Sequence, residues 1–447
     1  MSYYKSYPAY KDSGVEWLGR VPEHWQIRRL KHIANLQTGV AKGKDNGGKD
    51  TIEVPYLRVA NVQDGYLSLD NVATIAIPRE DLTRYSLRPG DVLMNEGGDF
   101  NKLGRGSVWL GEIDPCIHQN HVFAVRPTVV SSAWLNAFTG SLAAQFYFMG
   151  RAKQSTNLAS ISSSNIMELP VTMPPAVEVE LLLAHLNRET VRIDALIEKK
   201  TRFIELLREK RQALIINAVT KGLDHNVRMK DSGVEWLGEV PEHWSVLQLR
   251  HTARLESGHT PSRSTPEYWV DCNVPWFTLA DVWQVRSGEQ KYVSETSEKV
   301  SQLGLENSSA RLLPAGSVFL SRTASVGFPG IMAVDMATSQ DFAVWTCTSE
   351  LFNEYLYYIL LGMKPDFDRL MMGSTHKTIY MPDIEAIRIA RPPLDEQRGI
   401  VSALGGQLGR FKIVIDKTER SIELLNERRS ALITAAVTGQ IDLRETE

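Results

Sequence analysis

The sequence predicts an α+β chain: two mixed, mainly β domains in pseudo-two-fold tandem repeat, joined by two long antiparallel coiled-coil helices. Three observations predict it. The chain of 447 residues is written twice: KDSGVEWLGRVPEHW at Lys11–Trp25 returns as KDSGVEWLGEVPEHW at Lys230–Trp244, and Ile197–Thr220 returns as Ile415–Thr438 with most positions identical. The text between those pieces is rich in β-branched and aromatic residues and is broken by turn markers such as Asp64-Gly65, Pro89-Gly90 and Gly97-Gly98. Each half then closes on an apolar stripe at alternating three- and four-residue steps, the mark of a coiled-coil seam. A repeat of about half the chain is too long for a solenoid and fits two duplicated domains. The expected boundaries are 1–172 for the first β-rich domain, 173–222 for the first helix, 223–390 for the second domain and 391–447 for the second helix and tail.

Taken in order, Gln26 to about Pro170 reads as strands with a few short helices. One helix is expected over Ala133–Met149, where Trp134, Phe138, Leu142 and Phe146 recur at spacing four; its counterpart is Leu351–Met363. Each β-rich region ends at a double proline, Pro174-Pro175 and Pro392-Pro393, a tolerated helix start. Glu178, and Asp395 with Glu396, suit the positive end of the helix dipole. The first seam runs through Ile193, Ile197, Ile204, Leu207, Leu214 and Ala218, with Lys200 and Arg211 in register. The second runs through Phe411, Ile415, Ile422, Leu425, Leu432 and Ala436, with Thr418 and Arg429 in register. Some 40 residues of helix span ~60 Å, too long to bury a stripe on one compact domain, so each helix should find its mate in the other. Leu206 and Ile215, and Leu424 and Ile433, widen the stripe and leave room for helices of other proteins. Gly405-Gly406 and Gly409 should weaken or kink the second helix early.

Hydrophobic residues at 43% and charged residues at 23% fit packed cores. No apolar run approaches the ~20 residues that cross a bilayer, and the start carries no apolar signal-peptide stretch, so a cytoplasmic chain is expected. Cys116, Cys272 and Cys347 form no C-x-x-C pair, which supports neither a disulfide framework nor a zinc knuckle. A net charge of −3 argues against holding nucleic acid by bulk charge alone. A local basic patch is still present: Arg20, Arg28, Arg29, Lys31, Lys42, Lys44 and Lys49 face only Glu23 and Asp45 across 20–49.

Motifs of catalysis are missing. There is no G-x-x-x-x-G-K-[ST] loop, no H-E-x-x-H and no G-x-S-x-G. The double prolines sit in MPPA and RPPL rather than in the Asn/Asp-Pro-Pro-aromatic loop of amino-methyltransferases. His118, His121 and Cys116 lack a second cluster to complete a metal site. The residues alone leave open a sequence-reading DNA binder or a coiled-coil scaffold, with a self-sufficient methyltransferase or nuclease disfavoured.

The repeated ends are alike while the middles differ, as in EVPYLRVANVQDGYLSL (Glu53–Leu69) against NVPWFTLADVWQVRSGE (Asn273–Glu289). KDSGVEWLG-x-VPEHW, PYLRVANVQDG, GDVLMNEGGDFNKLGRG and IDALIEKKTRFIELLREKRQALI, with SGHTPSRSTPEYW, VPWFTLADV and LPAGSVFLSRTASVG in the second half, resemble the specificity subunit of type I restriction–modification enzymes. The resemblance runs from about Lys11 to Val437. One departure is that the second copy has the family's PPLDEQ (Pro392–Gln397) where the first has PPAVEVE (Pro174–Glu180). The resemblance implies a non-catalytic subunit whose two target-recognition domains each read one half of an asymmetric, two-part site in double-stranded DNA. It implies that the helices set the gap and dock two modification subunits, and that ATP-driven restriction subunits join them. S-adenosylmethionine, ATP and Mg would then belong to those partners, and this chain would bind no cofactor and no metal.

Under that resemblance, polar clusters in loops between strands are the expected DNA contacts, with phosphate contacts positioning and base contacts specifying. In the first half these are Lys42 and Lys44 for the backbone; Arg58, Asn61 and Gln63; Asp99, Asn101, Lys102 and Arg105; and Gln119, Asn120 and His121. In the second half they are Thr260, Ser262, Arg263, Thr278, Asp281, Arg322, Thr323, Ser325, Gln340 and Asp341. Trp17, Trp25, Trp236 and Trp244 lie in the repeated text, where identical residues could not read different sequences, and are expected to pack the scaffold.

Overall fold

The computed structural model describes residues 4–43, 49–98, 103–154, 159–371 and 377–444. Two compact units emerge, and they do not follow the chain linearly. One joins Met1–Lys200 to Arg420–Glu447, and the other is Thr201–Glu419. Each unit holds one β-rich domain, the first part of one long helix and the last part of the other. Among the described residues no helix is long and apolar enough to cross a membrane.

In the first unit the repeated opening text forms an antiparallel hairpin, Tyr10–Asp12 against Arg20–Pro22. Gly14 and Gly19 turn it with positive φ. The strand Gln26–Arg29 then pairs antiparallel with Pro170–Met173, so both ends of the domain meet just before the long helix. Between them a four-stranded sheet runs Ala34–Thr38, Val122–Pro127, Val92–Asn95, Gly106–Val108, and a three-stranded sheet runs Ile117–His118, Thr51–Leu57, Ala73–Pro78. The second unit repeats this plan. Its hairpin is Met229–Asp231 with Glu239–Pro241, and its closing pair is Ser245–Gln248 with Arg388–Arg391. Its larger sheet has five strands, because Tyr292–Val293 adds an edge beyond Pro329–Met332, the counterpart of Gly106–Val108.

The expected single helix over Ala133–Met149 is two helices, Ser132–Thr139 and Leu142–Met149. Ser141 caps the second by accepting from the Ala144 amide at 3.2 Å, which ends the first at Gly140. Trp134 and Phe138 are buried while Leu142 and Phe146 are exposed, so the spacing-four stripe stops at the break.

The long helices are Ala176–Lys221 and Leu394–Val437. At ~1.5 Å per residue each is more than 60 Å long. Gly222 and Gly439, both with φ above +70°, follow their ends, the left-handed conformation that terminates helices. In the first unit, Leu182 and Leu186 from the start of one helix share a core with Leu432, Ala436 and Val437 from the end of the other. In the second unit, Ile215, Ala218 and Val219 from the end of the first helix share a core with Ile400, Val401 and Leu404 from the start of the second. Start beside end makes the pairing antiparallel in each unit. Ile193, Ile204, Ala218, Leu432 and Ala436 are buried, and Ile197, Leu207, Leu214, Phe411, Ile415, Ile422 and Leu425 are half-buried, so every expected seam position faces inward. Asp194–Arg429 at 2.8 Å and Arg208–Glu419 at 3.0 Å bridge the helices at the seam's edge, one within each unit. The helix runs unbroken through Gly405, Gly406 and Gly409. Glycine costs ~1 kcal/mol per site in a helix interior.

The helix starts explain the repeated text. The Glu178 carboxylate accepts from Trp25 Nε1 at 3.0 Å and Tyr7 Oη at 2.6 Å, and His24 Nε2 lies 2.7 Å away. Glu396 does the same for Trp244 Nε1 at 3.1 Å and His243 Nε2 at 2.9 Å. Trp25 and Trp244 are fully buried; Trp17 packs on Tyr147, and Trp236 Nε1 donates to the Arg388 carbonyl at 3.1 Å. All four tryptophans are scaffold. The PPLDEQ departure has a local meaning. Buried Gln397 accepts from the Phe352 amide and donates to the Glu350 and Pro392 carbonyls, a set of bonds that Val179 in the first copy cannot make.

Candidate nucleic-acid interface

Three loops of the first domain are tied to a central one, residues 118–121, by backbone hydrogen bonds. The Val40 amide donates to the His118 carbonyl at 2.9 Å, Gln119 to Leu57 at 2.8 Å, and Glu96 to His121 at 2.9 Å. The second domain repeats each bond around residues 338–341. His259 donates to Thr338 at 3.0 Å, Ser339 to Phe277 at 3.0 Å, and Arg322 to Asp341 at 2.9 Å. The approach is so close that a Cβ on Gly39 would stand 2.1 Å from the His118 carbonyl oxygen, and one on Gly258 2.1 Å from that of Thr338. Glycine is required at both places by contact rather than by φ. One frame therefore holds two differently furnished loop clusters.

The furnishing follows from side-chain exposure. In the first domain Lys42 and His121 are exposed and Gln119 and Asn120 half-buried; His121 Nδ1 lies 2.7 Å from Glu96 Oε2. His118 is buried with Nδ1 against the Val122 carbonyl at 2.7 Å, and burial pushes its pKa down, so it is a neutral core imidazole. Burial likewise pushes the Cys116 thiol up to about 12. In the second domain Ser262, Arg263 and Gln340 are exposed, and Thr260, Thr323, Ser325 and Asp341 half-buried. Thr260 Oγ1 donates to Gln340 Oε1 at 2.7 Å, and Arg322 donates to the Gln340 carbonyl at 2.7 Å, so these loops brace one another. Arg263 is paired with Glu298 at 2.6 Å and lies over the Trp269 ring at 4.2 Å.

Residues 241–425 match the family model of the type I restriction modification DNA specificity domain. The putative type I restriction enzyme MjaX specificity subunit of Methanocaldococcus jannaschii is 23% identical over 433 residues, 96% of each chain. A chain from a solved structure on complex assembly and conformational transition of the type I R-M system superposes with a TM-score of 0.70 at 15% identity, over 94% of this chain and 99% of that one. The HsdS subunit from Thermoanaerobacter tengcongensis superposes at 0.50, also at 15% identity, over 94% and 98%. This chain is similar to type I restriction enzyme specificity subunits.

Two expected readers are buried instead of presented on the loop surface. Asn61 and Asp281 occupy the same place in the two halves, and both are buried turn-formers. Asn61 accepts from the Arg58 amide at 2.9 Å and donates to the Ser68 and Asn71 carbonyls. Asp281 accepts from the Thr278 amide and hydroxyl and from the Ser297 amide and hydroxyl. Short polar side chains folded back on their own turn have nothing left to offer a base edge. Their neighbours are partly committed too. Arg58 reaches the Asn71 carbonyl, Thr278 caps the turn by accepting from the Ala280 amide, and Gln63 donates to the Ala60 carbonyl. Arg105 pairs with Asp64 at 2.6 Å and donates to Gln145 at 2.8 Å. Lys44, Asp99, Asn101 and Lys102 lie outside the described residues.

Sequence reasoning in turn passed over one exposed aromatic, Trp283. Trp283 is 71% exposed at the end of the turn that Asp281 caps, at the place Gln63 holds in the first half. Aligning ANVQ with ADVW would have found it, since a tryptophan replacing a glutamine beside a capping residue has no core to fill.

Proposed function

We propose that this chain is the DNA-reading, non-catalytic subunit of a type I restriction–modification complex, with 1–172 and 223–390 as target-recognition domains. Each domain reads one half of an asymmetric two-part site. The helical segments 173–222 and 391–447 set the gap and dock two modification subunits, with restriction subunits joining that core. S-adenosylmethionine, ATP and Mg serve those partners. The supporting observation is the loop frame found in both halves, with the same three backbone bonds and the same two glycines but different exposed side chains. Two unlike recognition surfaces on one scaffold suit a split, asymmetric target. Lys42, Gln119, Asn120 and His121 in the first domain, and Thr260, Ser262, Arg263, Arg322, Thr323, Ser325, Gln340 and Asp341 in the second, are the side chains best placed to meet DNA.

The test is an exchange. Residues 26–170 are replaced by the corresponding segment of a relative with a different target, the complex is reconstituted with its modification subunits, and methylated adenines are mapped by sequencing. One half of the methylated site should change and the other half and the gap should persist. A change in both halves, or methylation of a continuous site, contradicts the reading.

A further inference from the structure

We propose that Arg286 and Lys364 form a phosphate-backbone clamp on the second domain. The inference rests on the DNA-reading function above and adds to it a site outside the recognition loops. Both side chains are exposed and both lie over one ring: the Arg286 guanidinium is 5.7 Å and the Lys364 ammonium 5.2 Å from the centroid of Phe328. An aromatic face attracts each cation, but it neutralises neither, and two like charges gathered at one ring raise each other's energy. Among the described residues neither forms an ion pair.

The surroundings do not supply the missing anion. Arg286 and Lys364 line a cleft of about 650 Å³ that also contains Glu209, Glu289, Asp368 and Glu419. Glu289 is held by Lys412 at 2.6 Å, Glu419 by Arg208 at 3.0 Å, and Glu209 lies 3.9 Å from Arg202. Asp368, one helical turn beyond Lys364, pairs with neither cation. The site is therefore a pair of cations, neither in an ion pair among the described residues, opening on a cleft whose remaining free acid is Asp368.

Its position selects the anion. Arg286 Nη2 donates to Ser325 Oγ at 3.1 Å, and Ser325 belongs to the loop whose Arg322 amide is tied to Asp341 in the central recognition loop. A duplex lying on the recognition loops would bring a phosphodiester toward the same wall. Such a contact positions the protein without reading sequence. In the first domain Tyr66 stands where Arg286 stands in the second.

The experiment measures the affinity of the reconstituted complex for its mapped methylation site across a range of NaCl concentrations. It compares the natural chain with Arg286→Gln, Lys364→Gln and the double variant, and with Arg250→Gln, an exposed cation elsewhere in the same unit, as the control. Each phosphate contact contributes ~0.9 to the slope of log affinity against log salt. The double variant should lower that slope by about 1 to 2, weaken binding to all sequences alike, and leave the methylated sequence unchanged. An equal loss in Arg250→Gln would mean bulk charge and overturn the clamp. So would an unchanged slope, whether accompanied by a lower melting temperature, which assigns the pair to holding Phe328, or by loss of the modification subunits, which assigns it to a protein partner. An altered second half-site would make the pair base readers instead. If the natural complex protects no two-part site at all, the DNA-reading function fails along with the clamp.

Discussion

Glu178 and Glu396 show how one residue ties together distant text. Each opens a long helix, where a carboxylate meets the positive end of the dipole, and each accepts from a tryptophan more than 150 residues earlier in the chain. Glu178 is 5% exposed and serves Tyr7 as well; Glu396 is 33% exposed. Glu178→Ala should therefore cost about 3 kcal/mol, since it strands a buried indole N–H and a buried phenol together. Glu396→Ala should cost about half as much, because water reaches the site. Calorimetric unfolding of the two variants checks the order, and a larger loss at Glu396 would refute it. The dipole role of these acids was legible in the sequence, and the tryptophan partners were not, because nothing local marks an acceptor that distant. The same limit explains Asn61 and Asp281. Polar residues in a loop announce hydrogen bonding, but whether the partner is their own turn or a base edge depends on burial, which loop text does not encode.

The long helices were legible because their signal is periodic and repeated: heptad spacing places inward and outward residues without knowledge of the rest of the fold. Gly405, Gly406 and Gly409 do not interrupt the helix, but they should still weaken it. Nothing lies within 4 Å of a Cβ added at any of the three. Each Gly→Ala change should therefore stabilise the helix by ~0.5–1 kcal/mol, through reduced freedom of the unfolded chain. The triple variant should melt several degrees higher, and a lower melting temperature would show that these positions need glycine. Gly39 and Gly258 are the contrast, held by carbonyl oxygens where an added methyl cannot fit. Their identity in the repeat was visible, but the reason lies in a loop some 80 residues away. The helix expected over Ala133–Met149 failed at the same boundary between local and tertiary information: spacing-four apolar residues continue across Gly140–Ser141 while the backbone stops.

At the scale of the whole chain, the two compact units are joined in a circular order rather than a linear one. In the second unit the first long helix leads covalently, through Gly222 and residues 223–228, into the hairpin Met229–Asp231/Glu239–Pro241, and Gly222 packs on Trp244. In the first unit the same junction is made without a covalent link. The second long helix ends at Val437, Gly439 packs on Pro22 and Trp25, Gln440 donates to the Arg20 carbonyl at 2.8 Å, and the Asp442 amide donates to the Lys5 carbonyl at 2.8 Å. Both junctions do the same structural work, and exposed, lightly bonded connections tolerate being moved. A chain that begins at His225 and ends at Asp224, with a short glycine–serine linker joining Glu447 to Met1, should therefore keep both cores and both loop clusters intact. Its melting temperature should stay within a few degrees of the natural chain's, and the reconstituted complex should methylate the same two-part sequence with the same gap. A permutant that folds but methylates a different gap would mean that residues 222–228 set the geometry, and one that fails to fold would mean that the covalent junction carries stability which the non-covalent one does not.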